Sequence, residues 1–128
     1  MSFATFVDTQ LPSMRRYAFG VLNDISQADA CVEQVLKDLL EEWSLMGGAS
    51  DPMRRVDLFV RLQRCLQNSP AAVASDLSRL VLLLLEMEQF SIDKVSLILG
   101  VPIEELWSLV NSEAYAAERA PCTKHLIS

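Results

Sequence analysis

Apolar residues recur every three or four positions along most of the chain, and no stretch alternates convincingly with period two, so the pattern predicts helices throughout. Leu11, Met14, Tyr17, Ala18, Val21 and Leu22 share one face of a first helix, with Pro12 suited to its first turn. Asn23-Asp24 ends it. Ser26 caps a second helix, with Asp29 three residues on as an imperfect capping box. The stripe of that helix is Ala28, Cys31, Val32, Val35, Leu39 and Trp43, and Gly47-Gly48 closes it. Asp51-Pro52 reads as the cap and first turn of a third helix. Its stripe is Val56, Phe59, Leu62, Cys65 and Leu66, and Asn68-Ser69-Pro70 stops it.

Beyond that stop, Ser-Pro-Ala-Ala-Val-Ala-Ser over 69–75 has the composition of a short linker. A fourth helix is predicted over 76–88; its run from Leu80 to Leu85 is apolar on every side and should be buried on most of its circumference. Ser91 caps a fifth helix from Ile92 to Leu99, Gly100-Val101-Pro102 breaks the chain, and a sixth helix is predicted over 103–118. The expectation is an all-α protein of about six helices. A helical sub-domain over 1–68 is followed by the linker at 69–75, a second sub-domain over 76–120, and a tail over 121–128.

The second sub-domain contains a helix-turn-helix pattern, SIDKVSLILGVPIEELWSLV over 91–110. Val95 and Leu99 face inward from its first helix, and Ser96 is small where the two helices approach. Gly100 takes a turn that needs a left-handed backbone. Val101, Leu106 and Leu109 or Val110 complete the small core. The pattern specifies geometry and says nothing by itself about DNA.

Charge narrows the function. The 128 residues carry 11 basic and 17 acidic side chains, a net charge of −6, while 51% are hydrophobic. The apolar content excludes a disordered acidic tail, and the negative balance opposes partners held by phosphate neutralisation. From Cys65 onward there are 4 basic and 8 acidic residues, and between Val95 and Glu118 there is no Lys or Arg at all. That stretch holds Glu104, Glu105, Glu113 and Glu118, four carboxylates that duplex DNA would repel.

Other chemistry is thin. The longest apolar run is six residues, against about 20 for a membrane helix. Residues 1–11 have no basic, apolar signal pattern. Cys31, Cys65 and Cys122 include no Cys-x-x-Cys, and His125 is the only histidine, so no metal site and no cofactor is expected. Cys31 and Cys65 fall within apolar helical patterns, as reduced thiols of a cytoplasmic protein would. Glu41-Glu42 and Glu104-Glu105 are sequence neighbours that point to different sides of a helix, and no Gly-rich phosphate loop occurs, so no enzyme is expected.

Residues 11–40, LPSMRRYAFGVLNDISQADACVEQVLKDLL, resemble region 2 of extracytoplasmic-function sigma factors, and residues 78–106, SRLVLLLLEMEQFSIDKVSLILGVPIEEL, resemble their region 4. Two departures stand out. Where sigma recognition helices usually carry arginine, this chain has Trp107, Leu109, Ser112 and Ala114. Where sigma factors usually carry an acidic-glutamine polymerase motif, it has Ala30 to Gln34. The chain is therefore more similar to the sigma-like N-terminal domain of PhyR-type regulators of the general stress response. RRVDLFVRLQRCL over 54–66 resembles that family's third helix, and the tail PCTKHLIS resembles a junction into a receiver domain. The resemblance implies a sigma mimic that sequesters an anti-sigma factor of NepR type, with DNA and membrane binding not expected. Two alternatives stay open: a degenerate sigma factor acting in transcription initiation, and a structural helical interaction module.

Mimicry needs exposed apolar anchors. The candidates are apolar positions beyond one core face: Leu36 and Leu40 on the second helix, and Ile103, Trp107 and Leu109 on the sixth. A wider core, or packing between the sub-domains, could instead absorb them. Arg15-Arg16 and the group Arg54, Arg55, Arg61 and Arg64 read first as solvated faces, with Asp57 and Arg61 paired at i,i+4, and second as contacts for an acidic partner.

Overall fold

The computed structural model describes residues 2–43, 51–69, 77–112 and 115, and the chain divides into two compact units, Met1–Ala74 and Ser75–Ser128. Every element among the described residues is helical. Gly47-Gly48, most of the 69–75 linker and the 121–128 tail lie outside them.

The first unit contains α1 (Phe3–Leu22), α2 (Ile25–Glu42) and α3 (Asp51–Gln67), each packed on the other two. α1 starts well before Pro12, which lies in mid-helix. The reason is at its N-terminus: Ser2 caps it, its side chain accepting from the Thr5 N–H at 3.2 Å, and Phe6 is buried. Phe3 and Phe6 each bring a ring to 5.3 Å from that of Trp43. Proline costs an interior helix about 3 kcal/mol, which this aromatic cluster offsets. Pro12 and Asp8 are both exposed, so water can satisfy the Asp8 carbonyl that the proline leaves unbonded.

The turn into α2 uses two residues. Asn23 takes the left-handed conformation (φ 54°) that asparagine tolerates and donates its N–H to the Phe19 carbonyl at 2.7 Å. Asp24, rather than Ser26, is the N-cap of α2, accepting from the Gln27 N–H at 3.0 Å. The stripe Ala28, Cys31, Val32, Val35 and Leu39 is buried as its spacing implies, with Trp43 at the helix end half-buried. On α3 the buried set is Leu58, Phe59, Leu62 and Leu66; Val56 and Cys65 are half-buried. The stripe is thus rotated toward Leu58, because α3 meets α1 and α2 together rather than one neighbour. Asp51 already has helical backbone. Tyr17 donates its hydroxyl to Gln63 Oε1 in the middle of this core, with its ring 5.6 Å from that of Phe59.

The second unit contains α4 (Leu77–Leu82), which continues as a π-helical segment (Leu83–Met87), then α5 (Ile92–Leu99) and α6 (Ile103–Val110). Leu80, Val81, Leu83 and Leu84 are buried, but Leu82 and Leu85 are only half-buried, so the apolar run is less enclosed than its composition suggests. Gln89 takes a left-handed backbone (φ 59°), and the Phe90 N–H returns to the Leu84 carbonyl at 2.9 Å. This closure ends the helix and seats Phe90 in the core.

α5 and α6 are joined by a turn over Gly100, Val101 and Pro102. Gly100 is left-handed (φ 67°) and its N–H bonds the Ser96 carbonyl at 2.9 Å. Ser96 Oγ donates to the Val101 carbonyl at 2.6 Å, so the small residue ties the turn as well as making room. Ser91 is the N-cap of α5 without a side-chain cap bond. Val95 and Ile98 are the buried residues of α5, and Leu99 is half-buried. α6 runs to Val110 and the chain turns at Asn111 and Ser112, where Ser112 Oγ donates to the Leu109 carbonyl at 2.6 Å; Tyr115 is again helical, and the rest of the expected stretch to 118 lies outside the described residues.

Candidate partner-binding surfaces

On the first unit, helical spacing places Leu36 and Leu40 one turn apart on α2, outside the buried stripe. Leu40 is 57% exposed and Leu36 half-buried. They form one wall of an open groove of about 550 Å³ between α1 and α2. Phe3 and Leu11 of α1 form the other wall, and Val32 lies at its α2 side. Phe3 and Leu11 were not singled out as binding residues from the sequence. The sign was present: Phe3 and Phe6 stand three apart behind a serine cap, but Pro12 points to a later helix start.

The groove has an apolar floor and a charged rim. Arg15 meets Asp29 at 3.6 Å across the two helices, and Glu33 meets Lys37 at 3.1 Å along α2. These pairs are exposed, and exposed pairs are worth about 0–1 kcal/mol each. They keep both signs of charge beside the apolar surface.

The arginines of α3 are mostly engaged within the unit. Arg54 is buried with its guanidinium 4.6 Å from the Trp43 ring centre. Arg55 donates to Gln10 Oε1 at 3.0 Å and lies 5.3 Å from the Phe59 ring centre. Arg61 forms the expected i,i+4 pair with Asp57 at 2.8 Å and also meets Glu42 of α2. Burial weakens the Arg61 guanidinium's hold on its proton, but hydrogen bonds and charges from Asp57 and Glu42 more than restore it, leaving its pKa above the ordinary value. Arg54, Arg55 and Arg61 therefore bind α3 to its neighbours, and the reading of them as solvated helix faces gives way to that structural use.

On the second unit, α6 presents two opposite characters. Leu106 is fully buried, while Trp107 beside it is 51% exposed. Ile103 and Leu109 are half-buried. Glu104 and Glu105 occupy the first turn, exposed, where the positive end of the helix favours carboxylates. Among the described residues of α6 there is no cation to offset them. Leu36 and Leu40 thus share one groove, whereas Ile103, Trp107 and Leu109 are spread over the flanks of one short helix in the other unit.

Among the described residues no three His, Cys, Asp or Glu side chains gather where a metal ion could be held, and no helix is long and apolar enough to cross a membrane.

An all-helical unit that leaves leucine and phenylalanine on an open groove rimmed by ion pairs has the build of a protein-binding domain. Residues 7–63 match the family described as the sigma2 domain of PhyR. That stretch of the chain is thus similar to the sigma-like domain of PhyR-type regulators. That match lies wholly within the first unit, so the second is read from its own residues. No curated protein and no solved structure matches the chain.

Proposed function

We propose that this protein is a sigma-factor mimic that binds an anti-sigma factor of NepR type, so releasing the true stress sigma factor. The observation that carries the reading is the character of α6. A recognition helix in a helix-turn-helix meets DNA through cations on its exposed face. Here that face offers Glu104, Glu105 and a half-exposed Trp107. Two carboxylates beside phosphates are repulsive, while an aromatic anchor beside a carboxylate rim suits a basic, amphipathic protein segment. The sigma2 domain of the PhyR type supports the same reading from the first unit. Leu36 and Leu40 would receive apolar side chains of the anti-sigma factor in the α1–α2 groove, and Ile103, Trp107 and Leu109 would do so on α6. The binding is stoichiometric and competitive, in the cytoplasm, and a receiver domain in the same regulator would control access to both surfaces.

The test uses the purified chain with a purified NepR-type anti-sigma factor and its cognate sigma factor. Calorimetry should give a stoichiometric complex, and the chain should displace the sigma factor from the anti-sigma factor. Fluorescence anisotropy with promoter duplex at low salt should show no sequence-dependent binding. Tight promoter binding, or assembly with core RNA polymerase, would overturn the proposal in favour of a degenerate sigma factor. Absence of both interactions would leave a structural helical module.

A further inference from the structure

Two cysteines have no part in either surface above. Cys31 is on the buried stripe of α2, 6% exposed, and Cys65 is half-buried on the flank of α3; both are free thiols. They meet where the first half of α2 passes the end of α3. The two side chains are within hydrogen-bonding reach of each other, and the Ser69 hydroxyl reaches Cys31. Ser69 Oγ also lies 3.3 Å from Gln27 Oε1, which pins the end of α3 against the start of α2. A cleft of about 320 Å³ opens over the pair, lined by both cysteines with Gln27, Ala30, Asn68 and Ser69. Cys65 also borders the separate cleft of about 460 Å³ that contains Arg61 and Arg64, so solvent reaches it from two sides.

We propose that Cys31 and Cys65 form a redox site that a hydroperoxide oxidises to a disulfide joining α2 to α3. Cys65, the accessible thiol, reacts first. Its thiolate attacks one oxygen of the hydroperoxide: an S–O bond forms, the O–O bond breaks, and the leaving oxygen departs as water or alcohol after taking a proton. Cys31 then attacks the sulfenic sulfur: the S–S bond forms, the S–O bond breaks, and water leaves with the Cys31 proton. Two thiols are oxidised to one disulfide, and one hydroperoxide is reduced by two electrons. Burial raises the Cys31 thiol to about 12, which keeps it protonated and leaves the first attack to Cys65. The disulfide would tether α2, the helix that carries one wall of the groove, whether or not that groove receives an anti-sigma factor.

The test treats the full chain with hydrogen peroxide, blocks remaining thiols with N-ethylmaleimide, and maps peptides without reduction. The expected product is an intramolecular peptide pair linked through Cys31 and Cys65, lighter by two hydrogen atoms and restored by dithiothreitol. Cys31→Ser should instead accumulate sulfenic acid on Cys65, trapped by dimedone, and Cys65→Ser should abolish the cross-link. Circular dichroism on both variants confirms that they fold. The proposal is overturned if the wild-type chain gives sulfinic acid on Cys65 without a cross-link. It is equally overturned by disulfides that pair only Cys122 or separate chains, or by both thiols persisting under peroxide.

Discussion

Leu106 and Trp107 are neighbours on α6 with opposite surroundings, and truncating each to alanine should give opposite phenotypes. Leu106 is fully buried, while Trp107 is 51% exposed. Leu106→Ala removes three buried carbons and leaves a cavity between α6 and the elements it packs on, α4 and α5. Substitutions of this kind cost about 2–5 kcal/mol. Trp107→Ala removes more atoms, but about half of that surface is already in water, and solvent fills the space that is left. Its cost to stability should be about 1 kcal/mol or less. Binding should invert the order. An aromatic anchor at the centre of an interface contributes about 2 kcal/mol or more, so Trp107→Ala should weaken capture of a NepR-type anti-sigma factor roughly 30-fold. Urea unfolding followed by circular dichroism measures the first quantity, since losing a tryptophan would distort fluorescence. Titration calorimetry measures the second. If Trp107→Ala shifts the unfolding free energy as far as Leu106→Ala, Trp107 is core and the reasoning about α6 fails. If it leaves affinity unchanged, α6 is not a contact surface.

Three further outcomes follow from the core and the caps. Tyr17→Phe removes the hydroxyl that Gln63 Oε1 accepts from within the first unit; the loss should be about 1–3 kcal/mol by thermal or chemical unfolding. Gly100→Ala should cost about 1 kcal/mol from the left-handed backbone (φ 67°) alone, since an added Cβ there meets nothing within 4 Å; Gly100→Asn should cost less. The Cys31 thiol has its pKa raised from 9.0 to about 12, chiefly by burial and then by Cys65. The unfolded chain loses that proton at lower pH than the folded one, so this group's contribution to stability should be flat below pH 9.0 and fall between there and about 12. Cys31→Ala should remove that part of the alkaline slope in a pH series of urea melts.

Much of the fold was legible because local chemistry and helical period agree. Asn23 and Gly100 end their helices with left-handed backbones, as their side chains permit. The α2 stripe is buried from Ala28 to Leu39, and only Trp43 at its end is half-buried. Errors arose where long-range packing outvoted a local signal. Pro12 suggests a helix start, but Phe3 and Phe6 find Trp43, far away in sequence, and start the helix at Phe3, more than two turns earlier. Ser26 could cap α2, yet Asp24 does so because the preceding helix ends at Leu22 and leaves only two residues for the turn. α3 carries apolar residues around enough of its circumference that period alone did not choose Leu58 over Val56; contact with two helices did.

Helical class, a glycine turn between the last two helices, and the lack of any cation from Val95 to Glu118 can be read from the residues alone. Those features are local: period, backbone preference and residue charge are properties of a segment. Packing selects which surplus apolar residues stay in water. It left Leu40 and Trp107 exposed while enclosing Leu106 and Leu39, and it brought Phe3 and Leu11 across from α1 to complete a groove. It also brought Cys31 and Cys65 together from two helices and turned the α3 arginines from candidate contacts into struts against Trp43, Gln10 and Glu42. The physical reason is that period fixes the angle between side chains on one helix. How wide a stripe is covered depends on the position of neighbouring helices, and only the packed structure contains that.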